Sequence, residues 1–154
     1  NKNAMKIKKL DAIAVFKKTI DYVKKRAPKN INFDFVYDDN LHGAELNINT
    51  ELFSWVLENL LKNAIDSIQT SGQIKVQVVK KENTQYIIDV IDNGKGMPSN
   101  KFKKIFDPGY TSKKRGWGLG LSLCQRIITE YHKGKIFVLK SDPLRETIIR
   151  MIIK

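Results

Sequence analysis

Apolar residues recur every third or fourth position between Leu10 and Val23 (Leu10, Ile13, Ala14, Phe16, Ile20, Val23), with lysines between them. That spacing predicts a helix over residues 10–25 lying on a core, closed by Pro28. Ile31, Phe33 and Phe35 then alternate with Asn32 and Asp34, and a second alternation runs over 44–48 beyond a turn rich in Asp, Asn and Gly, so two short strands follow. Thr50, Glu51 and a periodic run to about Ile68 read as a capped helix, with Gly72 closing it. Residues 73–81 and 85–92 form a hairpin of β-branched residues. The stretch 93–118 is rich in Gly, Lys, Ser and Pro and too long for an ordinary connection, which marks it as a candidate functional loop. A helix over 118–131 and two strands, 135–140 and 146–153, complete the chain. Helices separated by hairpins, not by single strands, favour a two-layer α/β sandwich over a doubly wound sheet.

Composition narrows the class. With 154 residues, 42% hydrophobic and 29% charged, the chain has the balance of one globular domain, which excludes long disorder, collagen and coiled-coil arrays. No apolar run reaches the roughly 20 residues of a membrane-spanning helix. The single cysteine, Cys124, lies in an apolar helical pattern and reads as a small buried hydrophobe in a reducing compartment. Lys+Arg 28 against Asp+Glu 16 gives a net charge of +12. The lysines are spread as pairs without interleaved aromatics, so the charge reads first as solvated surface and otherwise as attraction for a phosphate-bearing ligand or an acidic partner, with no stacking pattern for a nucleic-acid module. The chain opens at Asn1, and residues 1–9 are expected to be a linker from an upstream domain.

Three stretches carry chemistry. On the helix of residues 50–68, a turn of about 100° per residue puts Phe53, Leu57, Leu60, Leu61, Ala64 and Ile68 on one core-facing arc. Asn59, Asn63 and Asp66 share another arc, beside Leu52 and Val56. Amide oxygens aligned in this way suit either a solvated face or a hard cation such as Mg²⁺, which takes oxygen ligands and keeps waters and phosphates in its shell. Asp92-Asn93-Gly94-Lys95-Gly96-Met97 ends a strand; it is either a plain turn or a carboxylate placed to accept from an exocyclic amine, with glycines that let backbone approach a flat ligand. Arg115-Gly116-Trp117-Gly118-Leu119-Gly120-Leu121 runs into a helix, where free N–H groups favour an anion. It lacks the spacing of a dinucleotide fingerprint and the Gly-Lys-Ser/Thr ending of the common phosphate loop.

In their order, Glu-Asn-Leu-Leu-Lys-Asn-Ala (58–64), Asp-Asn-Gly-Lys-Gly-Met (92–97), Ile-Phe-Asp-Pro-Gly-Tyr-Thr-Ser-Lys (105–113) and Gly-Trp-Gly-Leu-Gly-Leu (116–121) resemble the N box, first glycine box, F box and second glycine box of sensor histidine kinases. That family sits in the wider superfamily of gyrase, heat-shock chaperone, histidine kinase and mismatch-repair ATPases. The resemblance covers residues 10–154 and implies a catalytic domain with a mixed sheet of about five or more strands, three main helices on one face, and ATP with Mg²⁺ under a glycine-rich lid. It implies that Asp92 recognises the adenine amine, with Gly94, Gly96 and Met97 close by and Thr147 a second contact. Asn63 would help hold Mg²⁺, with Asn59 near the metal or phosphates. Gly116, Gly118, Leu119, Gly120 and Leu121 would fold over the triphosphate, Lys113 and Arg115 would neutralise it, and Phe106 and Tyr110 would pack the lid. The lid over 98–115 is expected to move without nucleotide, having few large apolar residues to pack.

The resemblance further implies transfer of the γ-phosphoryl group to a histidine on a dimerisation domain absent from this chain, a downstream response regulator, a homodimeric parent and a cytoplasmic location. Neither His42 nor His132 resembles an acceptor: His42 sits in a turn without the acidic neighbour and following helix of the phospho-accepting box, and His132 lies far along its helix from the glycine box. One departure stands out, because Asp66 and Ser67 replace the lysine and aromatic that many members carry after the N box, which leaves a phosphate contact from that helix unsupported. The alternatives are a superfamily relative acting as an anti-sigma-type serine kinase or an ATPase and, more remotely, a basic nucleic-acid-binding module. Against hydrolysis, Asn59 stands where the ATPases place a glutamate base, and an amide cannot take the proton.

Overall fold

Asp11 ends the first strand and starts the first helix, its carboxylate accepting from the Ala14 N–H at 2.9 Å. The computed structural model describes residues 8–82, 84–110 and 120–154. Strand β1 (Lys8–Asp11) leads into helix α1 (Ala12–Arg26), then β2 (Ile31–Tyr37), β3 (Glu45–Ile48), helix α2 (Thr50–Ser67), β4 (Gly72–Lys80) and β5 (Tyr86–Asp92). After the loop come helix α3 (Gly120–Arg126), a π-helical turn over Ile127–Tyr131, β6 (Lys135–Asp142) and β7 (Glu146–Ile153).

Five strands form one sheet in the order β2-β4-β5-β7-β6. The pair β2 and β4 is parallel because β3 and α2 intervene as a crossover, and the remaining pairs are antiparallel, so the sheet is mixed as expected. Its inner positions, among them Ile74, Val76, Ile88, Val90, Ile149 and Met151, are buried under the helices. Phe16 of α1 meets Phe35 of β2 and Phe53 of α2 at ring-centroid distances of 5.6 and 5.7 Å, joining both helices to the sheet. On the outer face, Asp89 and Arg150 stand opposite each other in register and pair through two bonds of 2.8 and 2.9 Å. Among the described residues no helix is long and apolar enough to cross a membrane.

Several local expectations need correction. Leu10 is not helical: it lies in β1, which pairs antiparallel with β3, and Lys8 and Lys9 of the expected linker share that ladder. Four residues are too few for periodicity to separate a strand from the helix it adjoins. Asn49, not Thr50, caps α2, its side-chain oxygen accepting from the Leu52 N–H at 3.0 Å. Gly72 opens β4, while α2 stops at Ser67. Helix α3 runs α-helically only to Arg126 before its π turn, and Gly118 and Leu119 at its expected start lie outside the described residues. The loop also packs more than its composition promised: Ile105 and Phe106 are buried, and Phe102 and Tyr110 lean on the core.

Candidate functional site

Helix α2 is buried on a wider arc than its own pattern indicates, because α1, the sheet and α3 all pack on it. Phe53, Leu57, Leu60, Leu61 and Ala64 are buried as read from the sequence, but Val56, expected beside the polar arc, is fully buried too. Its carbonyl lies 3.9 Å from the sulfur of Cys124 on α3, and burial holds that thiol up at about 12, an inert packing group. Asn59 and Asn63 are half-buried on the adjoining arc, whereas Asp66 is exposed. The Asn59 amide N–H donates to the Trp55 carbonyl at 2.8 Å, which turns its oxygen the other way. That oxygen abuts the start of α3: a Cβ built on Gly120 would stand 3.3 Å from it. The N-box amide and the end of the second glycine box thus meet.

Asp92 is the last residue of β5 and is buried. One carboxylate oxygen, Oδ1, accepts from the Gly94 N–H at 2.9 Å and lies 3.0 Å from the Ser67 hydroxyl at the end of α2. No described donor occupies Oδ2. Burial pushes the Asp92 carboxyl above its ordinary range, and the Gly94 and Ser67 donors pull it part of the way back. A carboxylate so placed is a strong acceptor with one oxygen to spare.

The segment after Asp92 is pinned on both sides. The Lys95 N–H donates to the Ser67 carbonyl at 2.9 Å, and the Gly94 carbonyl accepts from the Leu144 N–H at 2.8 Å. The Met97 N–H donates to Ser141 Oγ at 2.9 Å, and Ser141 shares a 2.7 Å hydroxyl bond with Thr147. Thr147 is buried directly opposite Asp92 in the ladder, but its hydroxyl is engaged with Ser141. These bonds give both glycines a packing role. A Cβ on Gly94 would lie 2.1 Å from Ser67 Oγ, and Gly96, at φ +69°, would bring one 2.7 Å from Ser141 Oγ. The space a Cβ would take at each glycine is occupied by protein.

The structure therefore brings Asn59 to Gly120, and Asp92 to Gly94 and Thr147, with Met97 and Leu121 partly buried against the core. Lys113, Arg115, Gly116, Gly118 and Leu119 lie outside the described residues. Among the described residues no cluster of His, Cys, Asp and Glu could hold a metal by itself. Amide oxygens at Asn59 and Asn63 suit a cation that keeps phosphate and water oxygens in its shell, so they fit Mg²⁺ with a nucleotide better than a protein-caged metal. Sequence reading overlooked Ser141, a β-strand serine with no motif around it, and weighed Ser67 only as a missing phosphate contact.

Comparison with known proteins identifies the family and the fold. Residues 49–154 match the family described as Histidine kinase-, DNA gyrase B-, and HSP90-like ATPase. Signal transduction histidine-protein kinase AtoS of Escherichia coli (strain K12) is 41% identical over 105 residues, 68% of this chain and 17% of the relative. Sporulation kinase C of Bacillus subtilis (strain 168) is 31% identical over 111 residues, 72% of this chain and 25% of the relative. The chain thus spans a quarter or less of the length of these relatives. The catalytic domain of histidine kinase ThkA superposes with a TM-score of 0.84 at 27% identity, covering 96% of this chain and 95% of that domain. The chain belongs to the histidine kinase-, DNA gyrase B-, and HSP90-like ATPase family, as a catalytic domain of the sensor histidine kinase type.

Proposed function

We propose that this domain binds Mg·ATP and donates its γ-phosphoryl group to a histidine on a dimerisation domain of the same parent protein, in a pathway read by a response regulator. The observation that carries the reading is Asp92: a buried carboxylate, held through one oxygen and open at the other, is the acceptor an adenine amine needs. Asn63 is assigned to Mg²⁺ and Asn59 to the phosphates or metal, Met97 and Thr147 to the base pocket, and Gly116, Gly118, Leu119, Gly120 and Leu121 to the glycine-rich cover. Lys113 and Arg115 are assigned to charge neutralisation. Mg²⁺, when bound, would supply charge neutralisation on the phosphates; the chain's own task is to orient the nucleotide and exclude water. Asn59 offers no base for a water molecule, and the neighbouring Glu58 is paired with Lys62 at 3.2 Å, which favours an outside nucleophile over hydrolysis.

The test supplies a histidine-bearing dimerisation domain in trans with γ-labelled ATP. Acid-labile label on that histidine is the expected result. Label on serine would move the chain to the anti-sigma-type kinases, and inorganic phosphate released without a phosphoprotein would move it to the ATPase branch.

A further inference from the structure

The reading of Asp92 as the adenine acceptor leaves open what aims the carboxylate. Its Cβ–Cγ bond is free to rotate in principle, and a buried acceptor that wanders presents either oxygen, or neither, to a ligand. Here both bonds fall on Oδ1: the Gly94 N–H at 2.9 Å and the Ser67 hydroxyl at 3.0 Å. The Ser67 hydroxyl also lies 2.8 Å from the Ala64 carbonyl in the last turn of α2. It has one proton for two acceptors, and the ionised carboxylate is the stronger partner. Ser67 is itself fixed, because its carbonyl accepts the Lys95 N–H at 2.9 Å and its side chain occupies the space left by the missing Cβ of Gly94. The end of the N-box helix and the turn after β5 therefore clamp one carboxylate oxygen between them.

We propose that Ser67 is a positioning residue for base recognition: its hydroxyl, together with the Gly94 N–H, holds Asp92 so that Oδ2 is the oxygen offered to the exocyclic amine. The inference rests on the assignment of Asp92 to adenine and adds to it a second-order selectivity device from a different element. Ser67 touches no nucleotide in this scheme, so its effect must depend on the amine.

The experiment measures binding of ADP and of purine riboside 5′-diphosphate, which lacks the amine, to the wild-type chain and to Ser67→Ala by calorimetry without Mg²⁺. Loss of a charge-assisted bond that orders the acceptor should weaken ADP roughly five- to twenty-fold and the amine-free analogue less than about twofold. Equal weakening of both ligands would assign Ser67 a merely structural role, and unchanged or tighter ADP binding would remove it from recognition altogether; either overturns the proposal. Ser67→Thr keeps the hydroxyl and should restore the preference for ADP. A Thr variant that melts with the wild type yet behaves as Ala would also overturn it. If the wild type shows no preference for ADP over the analogue, the assignment of Asp92 fails first, and the role of Ser67 with it.

Discussion

Asp92 sets a conflict between binding and stability that a single substitution separates. Asp92→Asn keeps an oxygen able to accept from Gly94 and Ser67 but removes the charge that burial disfavours. The nucleotide-free variant should be at least as stable as the wild type, gaining up to about 1 kcal/mol in urea unfolding. Its ATP affinity should fall by about 2 kcal/mol or more, because an amide N–H now faces the adenine amine. GTP, with a carbonyl in place of that amine, should compete poorly with the wild type; equal competition would remove Asp92 from base recognition. Asn63→Ala makes the complementary separation. The half-buried amide is assigned to the metal, so Mg·ATP use should collapse while ADP binding measured without Mg²⁺ stays near wild type. Loss of both together would show that Asn63 supports the fold or the base pocket.

At the scale of elements, α2 and α3 are tied at their far ends by His132. The Asn49 N–H at the N-cap of α2 donates to His132 Nε2 at 3.2 Å, and Nδ1, which then carries the proton, donates to the Ile127 carbonyl at 3.2 Å in the π turn. The Phe53 ring packs edgewise on the imidazole at 6.0 Å. Burial pushes the His132 pKa below the ordinary imidazole value, and the Ile127 bond offsets part of the shift. The unfolded chain thus binds the proton more readily, so this contribution is complete above about pH 6.5 and fades as pH falls through that value toward the folded pKa. Urea unfolding from pH 7.5 to 5 should show that decline in the wild type and lose most of it in His132→Gln, whose amide oxygen still accepts from Asn49. The loop before α3 is a second tie. Phe106 is buried in a 3-10 turn that packs on α3, and Phe106→Ala should cost about 3 kcal/mol and weaken ADP binding as well. A loss below about 1 kcal/mol would mean that this segment does not anchor α3.

At the scale of the whole molecule, the two histidines stand in different surroundings. His132 is buried with both ring nitrogens engaged, and His42 follows a short 3-10 turn with its ring edgewise on Tyr37 at 5.6 Å. In-line transfer needs a nucleophile a few ångströms from the γ-phosphorus; His132 is buried, and His42 stands in a turn without the acidic neighbour and following helix of a phospho-accepting box. The chain alone should therefore bind ATP and gain no stoichiometric acid-labile phosphate during incubation with labelled nucleotide. Stoichiometric label on His42 or His132 would overturn this. The net charge of +12 acts at the same scale, and its attraction for a triphosphate should make affinity fall with added salt.

What the sequence alone determined was local and periodic. The arc of Phe53, Leu57, Leu60, Leu61 and Ala64 was legible because helical spacing decides which side chains share a face, and the strand alternations were legible for the same reason. The order of the boxes marked Asp92, Asn59 and Asn63, since each stands at an element end or on a face that its neighbours define. Tertiary structure decided what those faces and ends meet. Nothing within the N-box helix shows that Ser67 will reach Asp92, 25 residues on, or that Asn49 will donate to a histidine 83 residues away. Val56 is buried where Cys124 of α3 returns against its carbonyl, and the strand at Lys8–Asp11 exists only because β3 is there to pair with it. Gly94 and Gly96 carry the same lesson: their sequence announced close approach, but only the folded chain shows that the approaching atoms belong to Ser67 and Ser141. Periodicity records how much of an element is buried, whereas the identity of the covering atoms is fixed by long-range packing that no local pattern encodes.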